Sequence, residues 1–212
     1  MASCLYHVIQ WGNRKQQVFF EEADYHAYLE LLTQFCPEAD IRILAYSLLP
    51  NHVHLVLVSG SLMEMRRIIG KAHRLYRRRI NFRTGASGRL WQDQLSAFPL
   101  HKEHLPAAVR YIEMEPVNIH LAARAGDYPW SSAGAHLTGC NDRYAEVAPL
   151  LKMVPDWEGF LMEIENCTLA RRFRGQERRA GIFNGISFSG LMSRFSRKTS
   201  SPGFLKKEKG PK

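Results

Sequence analysis

Residues 6–11, 41–48 and 52–58 are short β-favouring runs, and along the last of them histidine and apolar side chains alternate. That period of two sends successive side chains to opposite faces of a β-strand. Two longer stretches keep a helical period instead. Over 21–35, Tyr25, Tyr28, Leu29, Leu32 and Phe35 recur behind an acidic start of Glu21, Glu22 and Asp24, and Pro37 closes the segment. The acids suit the positive end of a helix dipole. Over 61–81, Met65, Ile69, Ala72, Tyr76 and Ile80 form an apolar stripe. A further strand is expected around 95–100 and a further helix over 102–114, with Pro106 in its first turn and Pro116 as its stop. Gly12-Asn13 ends the first strand, and Pro50-Asn51 is the short turn of a hairpin joining the second strand to the third. The order β-α-β-β-α-β-α predicts an α+β fold. It is a ferredoxin-like split βαβ sandwich, an antiparallel sheet with helices on one face and one helix appended, its third strand central.

Short helices are expected through 136 and over 144–153 and 155–166. Three regions result: a domain over 1–140, a helical extension over 141–166, and a basic C-terminal tail over 167–212. The tail is expected to be partly disordered, above all from 199 onward, where Gly, Ser, Pro and Lys dominate. Charge follows this division. Residues 1–165 carry a net −1 and residues 166–212 a net +10 of the chain's +9. An asymmetry of that size points to a polyanion, usually nucleic acid, with a solvated basic end as the plain alternative. No run of 18 apolar residues is present and no basic-then-apolar segment opens the chain, so no membrane partner is expected. Cys4, Cys36, Cys140 and Cys167 lack CxxC spacing, which fits neither a zinc framework nor a disulfide scaffold and agrees with a reducing cytoplasm.

Chemistry concentrates on the third strand. His52 and His54 stand at i and i+2 and share a face, where two neutral imidazoles can hold one divalent cation. Two polar residues at a strand edge are the bland alternative. Tyr111 and Glu115 stand at i and i+4 and share a helix face. Glu115 could complete a metal shell and Tyr111 could act as a nucleophile, although spacing alone suits a packed aromatic and a solvated end residue as well. Arg67, Lys71, Arg74 and Arg78 form a second stripe on the 61–81 helix, suited to phosphate contact or simply to solubility. His7 reads as a hydrogen-bonded core histidine or a neighbour of the site. Trp91 and Trp130 read as packing residues.

The run Pro50-Asn51-His52-Val53-His54-Leu55-Val56-Leu57 resembles the His-hydrophobic-His motif of the single-tyrosine, IS200-like transposases, particularly their REP-associated branch. Four other stretches resemble that group in order and interval: Tyr6-His7-Val8-Ile9-Gln10-Trp11-Gly12-Asn13-Arg14, Leu90-Trp91-Gln92, Arg110-Tyr111-Ile112-Glu113-Met114-Glu115-Pro116-Val117 and Asp127-Tyr128-Pro129-Trp130-Ser131-Ser132-Ala133. The resemblance implies that His52, His54 and Glu115 bind Mg²⁺ or Mn²⁺. It further implies that Tyr111 attacks single-stranded or hairpin DNA to leave a 5′-phosphotyrosine and a free 3′-hydroxyl. Glu115 stands where the family usually has Asn, and Trp11 where Arg is commoner; Trp11 either stacks on an unpaired base or packs. Trp11, Arg14, Lys15, Arg67, Lys71, Arg74 and Arg78 are the expected DNA contacts. A bacterial cytoplasmic, nucleoid-associated monomer or homodimer is implied. The rivals are a domesticated DNA-binding protein without catalysis and a phosphohydrolase that uses only the histidines.

Overall fold

The computed structural model describes residues 3–92, 94–163 and 167–181. Four strands, β1 (Cys4–Trp11), β2 (Arg42–Leu49), β3 (His52–Ser59) and β4 (Ser96–Leu100), form one antiparallel sheet in the order β2-β3-β1-β4. With α1 (Glu22–Phe35) between β1 and β2 and α2 (Leu62–Thr84) between β3 and β4, this is the expected split βαβ arrangement. β3 is central, as the element order predicts.

The sheet is covered on both faces. Val8, Val53, Leu55 and Leu57 pack with Leu29, Leu32, Ile69 and Tyr76 of α1 and α2. Val56 and Val58, from the opposite face of β3, pack with Val109 and Ile112 of α3 (Leu105–Asn118). The two helices of the split motif therefore share one face, and the appended helix takes the other. Double coverage explains why every residue of β3 is buried, where a half-solvated strand would alternate.

Local chemistry marks the helix ends. The Ser61 side chain accepts from the Glu64 backbone N–H at the start of α2, and Gly85 closes the helix in the left-handed region at φ 66°. Asp24, fully buried in the first turn of α1, accepts from Arg83 Nη2 near the end of α2 at 2.6 and 2.7 Å. The acidic start thus does more than answer a dipole: it ties the two helices together.

Pro116 does not end α3, which runs to Asn118. A proline in the last turn removes one backbone donor, and the Ile119 N–H still closes on the Glu115 carbonyl at 3.0 Å. Glu115 is consequently inside the helix and only 6% exposed, and not at a solvated end. Downstream, α4 (Ala133–Thr138), α5 (Ala148–Leu151) and α6 (Trp157–Met162) are shorter than the pattern suggests. The Asp142 carboxylate accepts from the Tyr144 and Ala145 N–H groups at 2.7 and 2.6 Å, which holds 144–145 out of a helix. Leu150, Trp157 and Leu161 share the α3 core.

The expected tail begins with a helix. α7 (Cys167–Gly181) buries Ala170, Phe173, Gln176 and Ala180 along one face and exposes Arg171, Arg172, Arg178 and Arg179. The arginine density conceals a helical period that supplies a core-facing stripe. The rest of the tail, including its expected disordered end, lies outside the described residues. Among the described residues no helix is long and apolar enough to cross a membrane.

The Tyr128–Ser132 stretch borders β2. Leu48 N–H donates to the Trp130 carbonyl at 2.8 Å, Ser132 N–H to the Tyr46 carbonyl at 3.0 Å, and the Tyr128 hydroxyl to the Leu48 carbonyl at 2.6 Å. An otherwise open sheet edge is thereby paired. Beneath it, fully buried Glu113 accepts from Ser132 Oγ and His136 Nδ1, each at 2.6 Å, and from Trp157 Nε1 at 2.9 Å. Glu113→Ala strands these donors in the core and is expected to lower folding stability by about 3 kcal/mol. A urea-unfolding midpoint equal to that of the unaltered protein would show that the network contributes nothing.

Candidate active site

The β3 alternation sends His52 and His54 to the α3 face, where both are fully buried. One turn apart on α3, Tyr111 and Glu115 face them. His52 Nε2 lies 3.0 Å from Glu115 Oε1, and His54 Nε2 lies 2.8 Å from Glu115 Oε2. Glu113, two residues earlier on α3, turns away to His136, so neighbouring carboxylates of one helix serve separate networks.

The other ring nitrogens are occupied. His52 Nδ1 is 2.8 Å from Asn51 Oδ1, an acceptor only, so Nδ1 carries hydrogen, and Nε2 faces Glu115 Oε1 at 3.0 Å. A longer relay orients His54. Gln176 Oε1 on α7 is 2.9 Å from His7 Nδ1, and His7 Nε2 is 2.9 Å from His54 Nδ1. Burial, reinforced by neighbouring His54, lowers the His7 pKa to about 3, so His7 is neutral. Its Nδ1 donates to Gln176 and its Nε2 accepts from His54 Nδ1, leaving His54 Nε2 to face Glu115. Engagement of the distal nitrogen is how metal-bound histidines are usually held. Trp11 stacks on His52 with ring centroids 3.8 Å apart and fixes the ring plane as well.

Burial opposes ionisation of Glu115, but His54 and His52 outweigh it and hold the carboxyl well below the usual carboxylate range. Burial would lower His54, and Glu115 reverses the effect and raises it. His54 Nε2 and Glu115 Oε2 are buried and pair with each other at 2.8 Å, with no further hydrogen-bond partner within the described structure. Ligand atoms of His52, His54, Glu115 and Glu177 all lie within 4.8 Å of one another. Two imidazole nitrogens and a carboxylate, buried together and oriented by their outer partners, form a donor set that fits a divalent cation.

The Tyr111 hydroxyl donates to Glu177 Oε2 at 2.6 Å. Its ring lies edge-on to His54, centroids 6.4 Å apart, and against Phe173 at 5.4 Å. Burial and the charges of Glu177 and Glu115 push the phenol pKa above its ordinary value. In this state the phenol is a poor nucleophile by itself.

The expected DNA contacts divide. Trp11 is 3% exposed and stacked on a candidate ligand, so here it packs and does not offer a face to a base. Arg14 is exposed and Lys15 half-buried beside it, both with left-handed backbone at φ 52° and 58°. Lys15 Nζ sits 5.1 Å from the Trp11 ring centroid. That turn starts at Gly12, whose N–H donates to the Asn51 carbonyl at 2.8 Å, and where a Cβ would stand 2.2 Å from the Gln16 carbonyl oxygen. On α2, Arg67 is paired with Glu64 and Lys71 with Glu38, each at 2.8 Å. Arg74 instead joins Arg66, Arg77 and Arg89 around a cavity of about 390 Å³ that Gln10, Trp91 and Gln92 also line. Arg78 lines an adjacent groove beside Phe82, which is 92% exposed. The basic ridge is thus rotated from the 67-71-74-78 stripe toward 66-74-77. Gln10 pairs with Val53 in the sheet, so the cavity opens on the α2 side while the histidines open on the α3 side.

His7 is both a buried core histidine and a neighbour of the site. Gln176 and Glu177 face the site from α7, and the 170-173-176-180 period that aims this face inward is present in the sequence under its arginines.

Residues 1–115 match the family model described as "Transposase IS200 like". No curated protein sequence matches the chain significantly. Among solved structures, the chain is similar to a REP-associated tyrosine transposase bound to a REP hairpin, with a TM-score of 0.52 and 18% identity over 68% of this chain and 87% of that one. It is also similar to a Deinococcus radiodurans R1 protein described as a transposase, with a TM-score of 0.41 and 18% identity over 53% of this chain and 91% of that one. The first of these likenesses shows a shared fold.

Proposed function

Because the chain belongs to the family of IS200-like transposases, matched over residues 1–115, we propose that it is a metal-dependent strand transferase whose nucleophile is Tyr111. The observation that carries this reading is the convergence of His52, His54 and Glu115 beside the Tyr111 hydroxyl, on two elements that the sheet and α3 hold rigidly.

A divalent cation such as Mg²⁺ or Mn²⁺, bound by His52, His54 and Glu115, would polarise a phosphodiester and stabilise its added negative charge. The chain's own residues do the rest. Gln176 and His7 fix His54, Asn51 and Trp11 fix His52, and Phe173 packs the Tyr111 ring. Attack by Tyr111 on single-stranded DNA leaves a 5′-phosphotyrosine and a free 3′-hydroxyl, and the reverse step joins strands.

Hairpin DNA of the REP type is the substrate we favour, in keeping with the REP-associated branch. Arg66, Arg74, Arg77 and Arg89 offer a cationic cavity for a backbone phosphate, and buried Trp91 Nε1 and Gln92 Nε2 make no hydrogen bond there within the described structure. Exposed Phe82 offers a stacking face beside Arg78. The surface ion pairs of Arg67 and Lys71 are weak enough to be exchanged for phosphate.

A labelled hairpin oligonucleotide with a single-stranded flank, incubated with Mn²⁺, is expected to yield a cleaved strand and a covalent protein–DNA band on a denaturing gel. Chelation with EDTA should remove both. Tight binding without cleavage in Mg²⁺ or Mn²⁺ would establish the rival reading, a DNA-binding protein that has lost its chemistry.

A further inference from the structure

The Tyr111 phenol must lose its proton during attack, and neither His52, His54 nor Glu115 is placed to take it. The histidine Nδ1 atoms are committed to Asn51 and His7, and the Nε2 atoms face Glu115. Among the described residues, the hydrogen-bond acceptor of the Tyr111 hydroxyl is Glu177 Oε2, at 2.6 Å. Glu177 comes from α7, the helix hidden in the basic C-terminal region, and stands four residues after Phe173 and one after Gln176. Phe173 packs on the Tyr111 ring and Gln176 is bonded to His7, so three contacts fix this face of α7 over the site.

We propose that Glu177 is the general base and acid of the reaction, a catalytic residue that exchanges its proton with Tyr111. In the forward step the Tyr111 Oη–P bond forms and the P–O3′ bond breaks. The phenolic proton passes to Glu177 Oε2, and the departing 3′-oxygen takes a proton from water to become the 3′-hydroxyl. In the joining step a 3′-hydroxyl attacks phosphorus and releases its proton to water. The Oη–P bond breaks, and Glu177 returns the proton to Tyr111. One carboxylate so placed serves both directions, as microscopic reversibility requires. The phenol grows more acidic as its oxygen bonds to phosphorus, which lets a carboxylate act as the acceptor although the resting phenol is held protonated by burial and nearby negative charge.

This role rests on Tyr111 being the nucleophile, and the experiment separates the two ideas. Single-turnover formation of the covalent adduct with the hairpin oligonucleotide and Mn²⁺ is measured for the full-length protein, Glu177→Gln, Glu177→Asp and Tyr111→Phe. Glu177→Gln keeps the volume and a hydrogen-bond acceptor but cannot take the proton. It is expected to slow adduct formation by about 10²-fold, with Mn²⁺ affinity and hairpin affinity unchanged, and Glu177→Asp should recover part of the rate. A Glu177→Gln rate equal to that of the unaltered protein, with Tyr111→Phe inactive, overturns the base and leaves the nucleophile standing. A rate that falls together with Mn²⁺ affinity makes Glu177 a ligand and overturns the proposal. Absence of an adduct from the unaltered protein overturns the reading on which it rests.

Discussion

Tyr111→Phe is expected to abolish the covalent protein–DNA adduct while leaving hairpin affinity within about twofold, because a single oxygen is removed and the surrounding packing stays. The ring sits against Phe173 and edge-on to His54, contacts that phenylalanine keeps. What disappears is the hydroxyl of the proposed nucleophile and its 2.6 Å hydrogen bond to Glu177. No neighbouring group substitutes for it, since a water in its place would give hydrolysis without a covalent band. Phenol-free protein that still migrates with labelled DNA after denaturation would sink the assignment of Tyr111.

Glu115→Ala is expected to lower metal-dependent cleavage by about 10³-fold, or about 4 kcal/mol, the scale of losing a main electrostatic support of a transition state. The carboxylate lies between His52 Nε2 and His54 Nε2 at 3.0 and 2.8 Å, so its loss takes away the proposed third ligand and the negative charge that would draw a cation to a buried pocket. Mn²⁺ affinity, measured by calorimetry, should fall with activity. Glu115→Asn restores an oxygen donor without the charge and is expected to recover part of both. Asparagine is the residue usual at this place in the transposases that the sequence resembles, so the pair of variants also measures what the departure to glutamate does. Cleavage and Mn²⁺ affinity that survive Glu115→Ala would reduce Glu115 to a hydrogen-bond partner of the histidines.

Much of the candidate site is legible from spacing, because it is built on regular elements. A period of two places His52 with His54, and a step of four places Tyr111 with Glu115, whatever the rest of the chain does. The cationic ridge is less legible. Arg67 and Lys71 look equivalent to Arg74 in a helical projection, yet Glu64 and Glu38 pair with the first two, and Arg66, Arg77 and Arg89 gather with the third. Glu38 and Arg89 come from other segments, and no periodicity within α2 reports them. The sequence leaves Trp11 open to packing or base stacking, and the β1–β3 register sets it opposite His52, where it packs.

By itself the sequence determined the order of strands and helices, the shared faces of the two pairs of site residues, and the charge imbalance, since each depends on near neighbours along the chain. Only the tertiary structure decided that Glu113 and Glu115 belong to different networks. It alone set His7 and Gln176 in line behind His54, and brought Glu177, 66 residues away, to the hydroxyl of Tyr111. Those contacts depend on how α7 docks against α3 and β1. That docking comes from burying Ala170, Phe173 and Ala180, a packing term that arginine-rich composition masks until the helix has a surface to meet.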